Sequence, residues 1–146
     1  MSTESGRTGP RVTSTSVFVL SLARRIEAEL APVLAPLGLT VGRLGLLGHI
    51  ATVPGASFSD LARMSGITVQ SVHAAVKSLA AAGLVRDRNA RAGSASTIEI
   101  TAEGARLLEA AREAVAEVDE RIFGADAEPL HQAIRDAVRA AIEPGR

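Results

Sequence analysis

The sequence predicts a mainly α-helical fold that carries one small β-hairpin, and three observations point to it. Residues 57–85, SFSDLARMSGITVQSVHAAVKSLAAAGLV, read as a short helix, a tight turn at Ser65-Gly66, a second helix with one apolar face and the start of a strand. Apolar residues recur at three- and four-residue spacing over 16–35 and again over 101–123. Between these regions, residues 84–88 and 97–100 alternate in character around a small, polar, glycine-containing stretch. The resulting order, ααααββαα, is a helix-turn-helix that opens into a wing and is flanked by long helices at both ends.

The first helix is expected over 16–35, with Val17, Leu20, Ala23, Ile26, Leu30 and Leu34 on one face. Pro32 lies inside that pattern and should bend it or split off its last turn, because proline lacks the amide donor and its ring crowds the preceding turn. Pro36 and Gly38 end it. Thr40 caps a second helix to about Ala51, with Leu44, Leu47 and Ile50 buried. Gly42, Gly45 and Gly48 recur at every third position of this helix, and each costs about 1 kcal/mol relative to alanine. Close packing by a neighbouring helix is the default explanation of that stripe, and room for a small ligand is the sharper one.

Ser57 and Asp60 have capping-box spacing, so a helix starts there. Gly66 suits a left-handed C-cap, Ile67 is expected to pack inward, and Thr68 caps the next helix. On that helix Val72, Ala75, Val76 and Leu79 form the buried stripe, and Gly83 stops it. The strands 84–88 and 97–100 form a hairpin with Asn89–Ser96 at its tip. Thr101 then caps a helix to about Phe123 with a narrow seam of Leu108, Ala111, Val115, Val118 and Ile122, as in helix-to-helix association. Pro129 opens a last helix with Leu130, Ile134, Ala137 or Val138, and Ala141 or Ile142 on one face.

Composition limits what such a fold can do. The chain of 146 residues has 47% hydrophobic content, enough for one core plus an extension. It has no cysteine, which excludes disulfides, a thiolate zinc site and thiol chemistry, and makes the reducing cytoplasm the natural compartment. The apolar run 16–23 continues directly into Arg24-Arg25, and no span approaches the roughly 20 apolar residues of a membrane helix, so no membrane association is expected. Residues 1–14, rich in Ser, Thr, Gly, Arg and Pro, read as a disordered tail. Net charge is zero but unevenly spread: +2 over 1–56, +2 over 57–101 and −4 over 102–146. No Gly-x-Ser-x-Gly, Walker motif or dinucleotide fingerprint is present, and no catalytic residue or cofactor is assigned.

The chemistry of the second helix of the helix-turn-helix fits a base-reading surface. Gln70 can pair with adenine, Ser71 can donate or accept, and His73 can address guanine or a phosphate. Thr68 at the helix start and Lys77 further along suit backbone phosphates, and Arg88 and Arg91 on the wing could enter a flanking minor groove. The competing explanation is a solvated helix face and a solvated loop. His49, Gly45 and Gly48 are the candidate small-molecule residues, with His49 reading either as a satisfied buried histidine, which is favoured, or as a partner for a ligand's hydroxyl or carboxylate. The three histidines fall on three different helices with no metal-ligand spacing, so no metal site is expected.

Asp60-Leu61-Ala62, Gly66-Ile67-Thr68, Ser71-Val72, Val76, Leu79, Gly83-Leu84-Val85 and the closing Ile100-Thr101 with Gly104 resemble the winged-helix core of the MarR (multiple antibiotic resistance regulator) family. The run LAPLGLTVGRLGLLGHI resembles that family's junction of first and second helices, and the likeness covers the chain from about residue 16. The resemblance implies a single domain over 15–146, with dimerisation helices at 15–38 and 102–146 and the winged helix-turn-helix at 40–101. It implies a homodimer that binds double-stranded DNA, represses genes and is released by a small aromatic or phenolic effector held between its dimerisation and DNA-binding parts. Two positions depart from the pattern: Gly93-Ser94 replace the usual wing Asp-Arg-Arg run, and Ala74 stands where an arginine is frequent. A winged helix used for protein association and a zinc-responsive regulator are the readings from other classes.

Overall fold

The computed structural model describes residues 14–88 and 97–143. Its elements follow the expected order: α1 (Thr15–Leu34), α2 (Val41–Thr52), α3 (Phe58–Ser65), α4 (Val69–Ala81), β1 (Val85–Asp87), β2 (Ile98–Ile100), α5 (Ala102–Phe123) and α6 (Pro129–Ile142). A single turn of 3-10 helix, Ala35–Leu37, joins α1 to the segment before α2.

Short polar side chains start the first five helices, each accepting an amide that the helix cannot satisfy itself. Ser14 caps α1, Thr40 caps α2, Thr68 caps α4 and Thr101 caps α5. At α3 the box is complete: Asp60 N donates to Ser57 Oγ at 3.0 Å and Ser57 N donates to Asp60 Oδ2 at 3.2 Å. These bonds, with the ion pair to Arg63, hold the Asp60 carboxyl below the usual carboxylate range, the backbone bond from Ser57 being the largest cause. Pro129 occupies the first turn of α6, where its missing donor costs nothing.

Pro32 does not split α1, which runs through it to Leu34. Pro32 and Ala28, whose carbonyl loses its amide partner, both lie on the exposed side, so water can take the freed acceptor. The chain breaks instead at the 3-10 turn. Ile67 also differs from expectation. It is 43% exposed, because the backbone bond from Ile67 N to Ala62 O turns the chain outward before α4 begins. In α2 it is Leu46, with Leu47 and Ile50, that is fully buried, while Leu44 is half-buried.

Two apolar clusters share α5. The larger joins Leu46, Leu47 and Ile50 of α2, Leu61 of α3, Val72, Val76 and Leu79 of α4, Val85 and Ile98 of the hairpin, and Leu108. The smaller joins Leu34, Leu39 and Ala111. α6 folds back on the end of α5 and caps its last carbonyls: His131 Nδ1 lies 3.1 Å from Ile122 O and Arg135 Nη1 donates to Phe123 O at 3.0 Å. The outer apolar faces of α1 and α6 have no cover, leaving Val17, Leu20, Leu130, Val138 and Ile142 exposed.

β1 and β2 pair antiparallel, with Val85 opposite Ile100, Arg86 opposite Glu99 and Asp87 opposite Ile98. The hairpin is tied to the end of α4 at one point. Gly83, with φ +77°, reverses the chain, and Thr101 then reaches back across it. Its hydroxyl donates to Gly83 O at 2.6 Å and accepts from Gly104 N at 3.1 Å, while Thr101 N donates to Leu84 O at 3.0 Å. A Cβ on Gly104 would sit 2.1 Å from Leu84 O and 2.9 Å from Ile100 Cγ1, so only glycine lets these backbones meet. Gly104→Ala is therefore expected to lose about 3 kcal/mol of stability, the upper part of the range for overpacking, as read from the urea midpoint.

Candidate nucleic-acid interface and effector cleft

The polar side of α4 faces away from the core along its length, because Val72, Val76 and Leu79 bury the opposite stripe and Ala75 is half-buried beside them. At its start Thr68 Oγ1 accepts from Ser71 N at 3.0 Å and donates to Ser71 Oγ at 2.9 Å. The Thr68 hydroxyl is thus used by the cap, and Ser71 keeps its own proton to donate. The first-turn amides of Val69 and Gln70 have no partner inside the helix and form a small positive end. Gln70 and Lys77 are exposed and make no hydrogen bond among the described residues.

His73 is placed differently from its neighbours. Its ring leans on Phe58 of α3, with centroids 4.1 Å apart and planes at 41°, so it is anchored at the seam between the two helices. A groove of about 420 Å³ runs from there between α4 and the hairpin, lined by Phe58, His73, Lys77, Val85 and Arg86 among others. Arg86 is a wing cation that the sequence reading left out of the interface, and only tertiary placement brings it next to Lys77. Arg43 of α2 also reaches α4, donating from Nη2 to Ser78 Oγ at 2.8 Å and bracing the helix from behind.

On the hairpin, strand alternation puts Arg86, Arg88 and Glu99 on one face and Val85 and Ile98 on the other. Both arginines pair with the same carboxylate: Arg86 Nε with Glu99 Oε1, and Arg88 Nε with Glu99 Oε2 at 3.1 Å. Arg91 lies outside the described residues. Val69, beside Gln70, is also exposed on this surface and is not among the expected contact residues.

The glycine stripe of α2 does not receive a packed neighbour. A Cβ on Gly45 or Gly48 would meet nothing within 4 Å, and one on Gly42 would meet only Thr40 Oγ1 at 4.0 Å. The default expectation of close helix packing is thus corrected, because α5 crosses α2 at Leu44 and Leu108, leaving Gly48 beside a gap and Gly42 and Gly45 exposed. That gap is a cleft of about 380 Å³ lined by Leu44, Gly48, Leu108, Arg112, Val115 and Asp119 among others. Burial raises the Asp119 carboxyl above its usual range. Gly48 lies on the cleft; Gly45 is exposed, and His49 is half-buried on α2, and neither lines it. Among the described residues no group of three His, Asp or Glu converges on a metal-sized site, and no single helix is long and apolar enough to cross a membrane.

Residues 37–93 match the MarR family model. Among solved structures, the MarR family protein Rv2887 of Mycobacterium tuberculosis in complex with DNA superposes with a TM-score of 0.73 at 23% identity, over 88% of this chain and 97% of that one. The same protein has been solved with p-aminosalicylic acid, with a TM-score of 0.72. CouR of Rhodococcus jostii bound to p-coumaroyl-CoA gives 0.70 at 22% identity, covering 94% and 99% of the two chains. The oxidized form of MarR from Escherichia coli gives 0.75 at 13% identity, over 92% and 97%. No curated protein matches the sequence. Residues 37–93, which hold α2, the helix-turn-helix and the first strand of the hairpin, are thus similar to the MarR family, and the chain shares the fold of solved MarR-family proteins.

Proposed function

We propose that the protein is a cytoplasmic, sequence-specific DNA-binding transcriptional repressor that acts as a homodimer on a pseudo-palindromic operator and is released by a small aromatic or phenolic acid. The observation that carries this reading is the α4 surface. An exposed row of Gln70, Ser71 and Lys77 is held by the Thr101 junction beside a hairpin that presents Arg86 and Arg88 outward, in a winged helix that matches the MarR family model. The complex of Rv2887 with DNA supports it by likeness of fold.

In this reading Gln70 and Ser71 read base edges in the major groove. The amide end of α4, Lys77 and the wing arginines hold phosphates. The uncovered apolar faces of α1 and α6 carry the dimer contact, which sets two α4 helices to enter grooves about 10 base pairs apart. Leu20, Leu130 and Ile142 are 58%, 52% and 73% exposed in the single chain, a patch that a partner subunit would bury.

The cleft between α2 and α5 is the proposed effector site, a reading supported by the aromatic ligands of Rv2887 and CouR. Aliphatic walls from Leu44, Leu108 and Val115 suit a flat ring, Arg112 suits its carboxylate, and Asp119 suits a hydroxyl or amino donor. Arg112 and Asp119 are two helical turns apart on α5, about 10 Å along the axis, which favours a ligand with its acid and donor at opposite ends. Filling the cleft would push α2 from α5 and, through the Arg43–Ser78 brace, tilt α4.

A selection of duplexes from a random pool, followed by binding measurements at two salt concentrations, tests the reading directly. Enrichment of a two-fold motif is the expected result, and absence of any salt-dependent binding would point instead to a protein-association role. Gln70→Ala should cost about 1–3 kcal/mol on the preferred sequence and relax preference at one base pair. Lys77→Ala should weaken all duplexes alike and lower the salt slope by about 1. Sedimentation of Leu20→Glu/Leu130→Glu should give a folded monomer where the parent chain is a dimer. Asp119 gives a pH test. Its raised folded-state pKa means that folding favours the protonated acid, so its contribution is full below the ordinary Asp value of 3.8 and is lost as pH rises through the folded value. Asp119→Asn should therefore gain stability relative to the parent as pH rises over that interval, with the difference flat above it.

A further inference from the structure

Glu99 is the one acid on the outward face of the hairpin shown to hold both described wing arginines, and its place is unusual for a surface partner. Its side chain is 22% exposed, whereas those of Arg86 and Arg88 are 68% and 67% exposed. The carboxylate therefore lies beneath the two guanidinium groups, one oxygen to each, and DNA approaching the wing meets the arginines first. Partial burial strengthens each pair relative to one in open water. The three side chains share a face because Arg86 is directly opposite Glu99 in the strand register and Arg88 is two residues along. Arg86 also lines the groove with Lys77, His73 and Asp87, so what it pairs with contributes to the charge of the channel between α4 and the hairpin.

We infer that Glu99 is an electrostatic attenuator of the wing: its carboxylate competes with the DNA backbone for Arg86 and Arg88 and so lowers affinity and salt dependence at this interface. This rests on the DNA-binding reading above. A phosphate can engage either arginine only by displacing a bonded carboxylate oxygen or by sharing the cation with it, and the net charge of the three groups is +1 where the arginines alone would present +2. Counterion release scales with the phosphates neutralised, so a wing held at +1 contributes about one phosphate equivalent less. The geometry favours attenuation over positioning, since the carboxylate binds through Nε of both arginines. Nε is one of the two donors of the side-on fork with which a guanidinium holds a phosphate bidentately.

Fluorescence anisotropy with a labelled duplex across a salt series tests this on the full chain. Glu99→Gln keeps the length of the side chain and removes the charge; Glu113→Gln, on the exposed side of α5, makes the same change in net charge away from the hairpin. Glu99→Gln is expected to bind roughly five- to thirtyfold tighter at low salt, as one or two exposed ion pairs are released, and to steepen the log–log salt slope by about 1. Glu113→Gln should leave the slope unchanged. In an Arg86→Ala/Arg88→Ala background the gain from Glu99→Gln should vanish, which separates release of these arginines from a general change of charge. Glu99→Asp, with its carboxylate drawn back by one methylene, should raise the slope in the same direction and serves if the glutamine variant folds poorly. Unchanged or weaker binding by a folded Glu99→Gln protein, with the parent chain still binding DNA, overturns the inference alone. Absence of DNA binding by parent and variants overturns the DNA-binding reading with it.

Discussion

One hydroxyl group holds the functional half of this molecule together. Thr101 caps α5 with the same oxygen that donates to Gly83 O at the end of α4, and its backbone amide closes the hairpin on Leu84 O. Three elements that diverge in space, α4, the hairpin and the long α5 spine, therefore share one hydrogen-bonded corner. Gly104 makes the corner possible by leaving room for the Leu84 carbonyl. The position of Arg86 beside Lys77, the outward face of Glu99 and the direction in which α5 leaves for the cleft all follow from it. A change at this corner would move the proposed binding surface and not merely loosen a loop, which distinguishes it from the exposed caps at Ser14 or Thr40.

The second constraint is that α5 belongs to both apolar clusters. Leu108 packs with the winged helix, and Ala111, one turn on, packs with Leu34 and Leu39. Beside these contacts Gly48 of α2 borders the cleft that holds Arg112 and Asp119. A ligand there lies at the junction of two bodies that are each well packed. Packed cores resist compression, so a wedge between them moves them as units. In the proposed regulator that is how a cleft beside α2 can alter the distance between two α4 helices without touching DNA.

Local signals made the helices and the hairpin legible in the sequence. Ser57-Asp60, Thr68 and Thr101 announce their helices because capping is a short-range interaction between residues three apart. The stripe Val72, Val76 and Leu79 announces its buried face for the same reason. What was not legible depended on distant partners. Pro32 is harmless because its side of α1 is exposed, which no local pattern shows. Ile67 is outward despite its hydrophobicity, since the turn's backbone bond decides its direction. The glycine stripe has no packed neighbour, and only Gly48 borders the gap beside α5. At the candidate interface, Gln70 and Lys77 could be named from helical phase alone, whereas the leaning of His73 on Phe58 and the sharing of Glu99 by two arginines needed the fold.

The sparse charge of the recognition surface has a consequence for discrimination. Non-specific binding to duplex DNA comes almost entirely from phosphate neutralisation, whereas base contacts act only at the right sequence. A reader with one lysine on its helix and wing arginines partly held by Glu99 would gain little from random DNA. Its specific contacts through Gln70 and Ser71 would then form a larger share of the total. Because a genome presents a vast excess of wrong sites, the ratio of specific to non-specific affinity governs occupancy more than the affinity itself. A neutral chain with an attenuated wing is therefore compatible with a selective regulator. It also suits one that an effector must release, since less free energy has to be overcome to detach it.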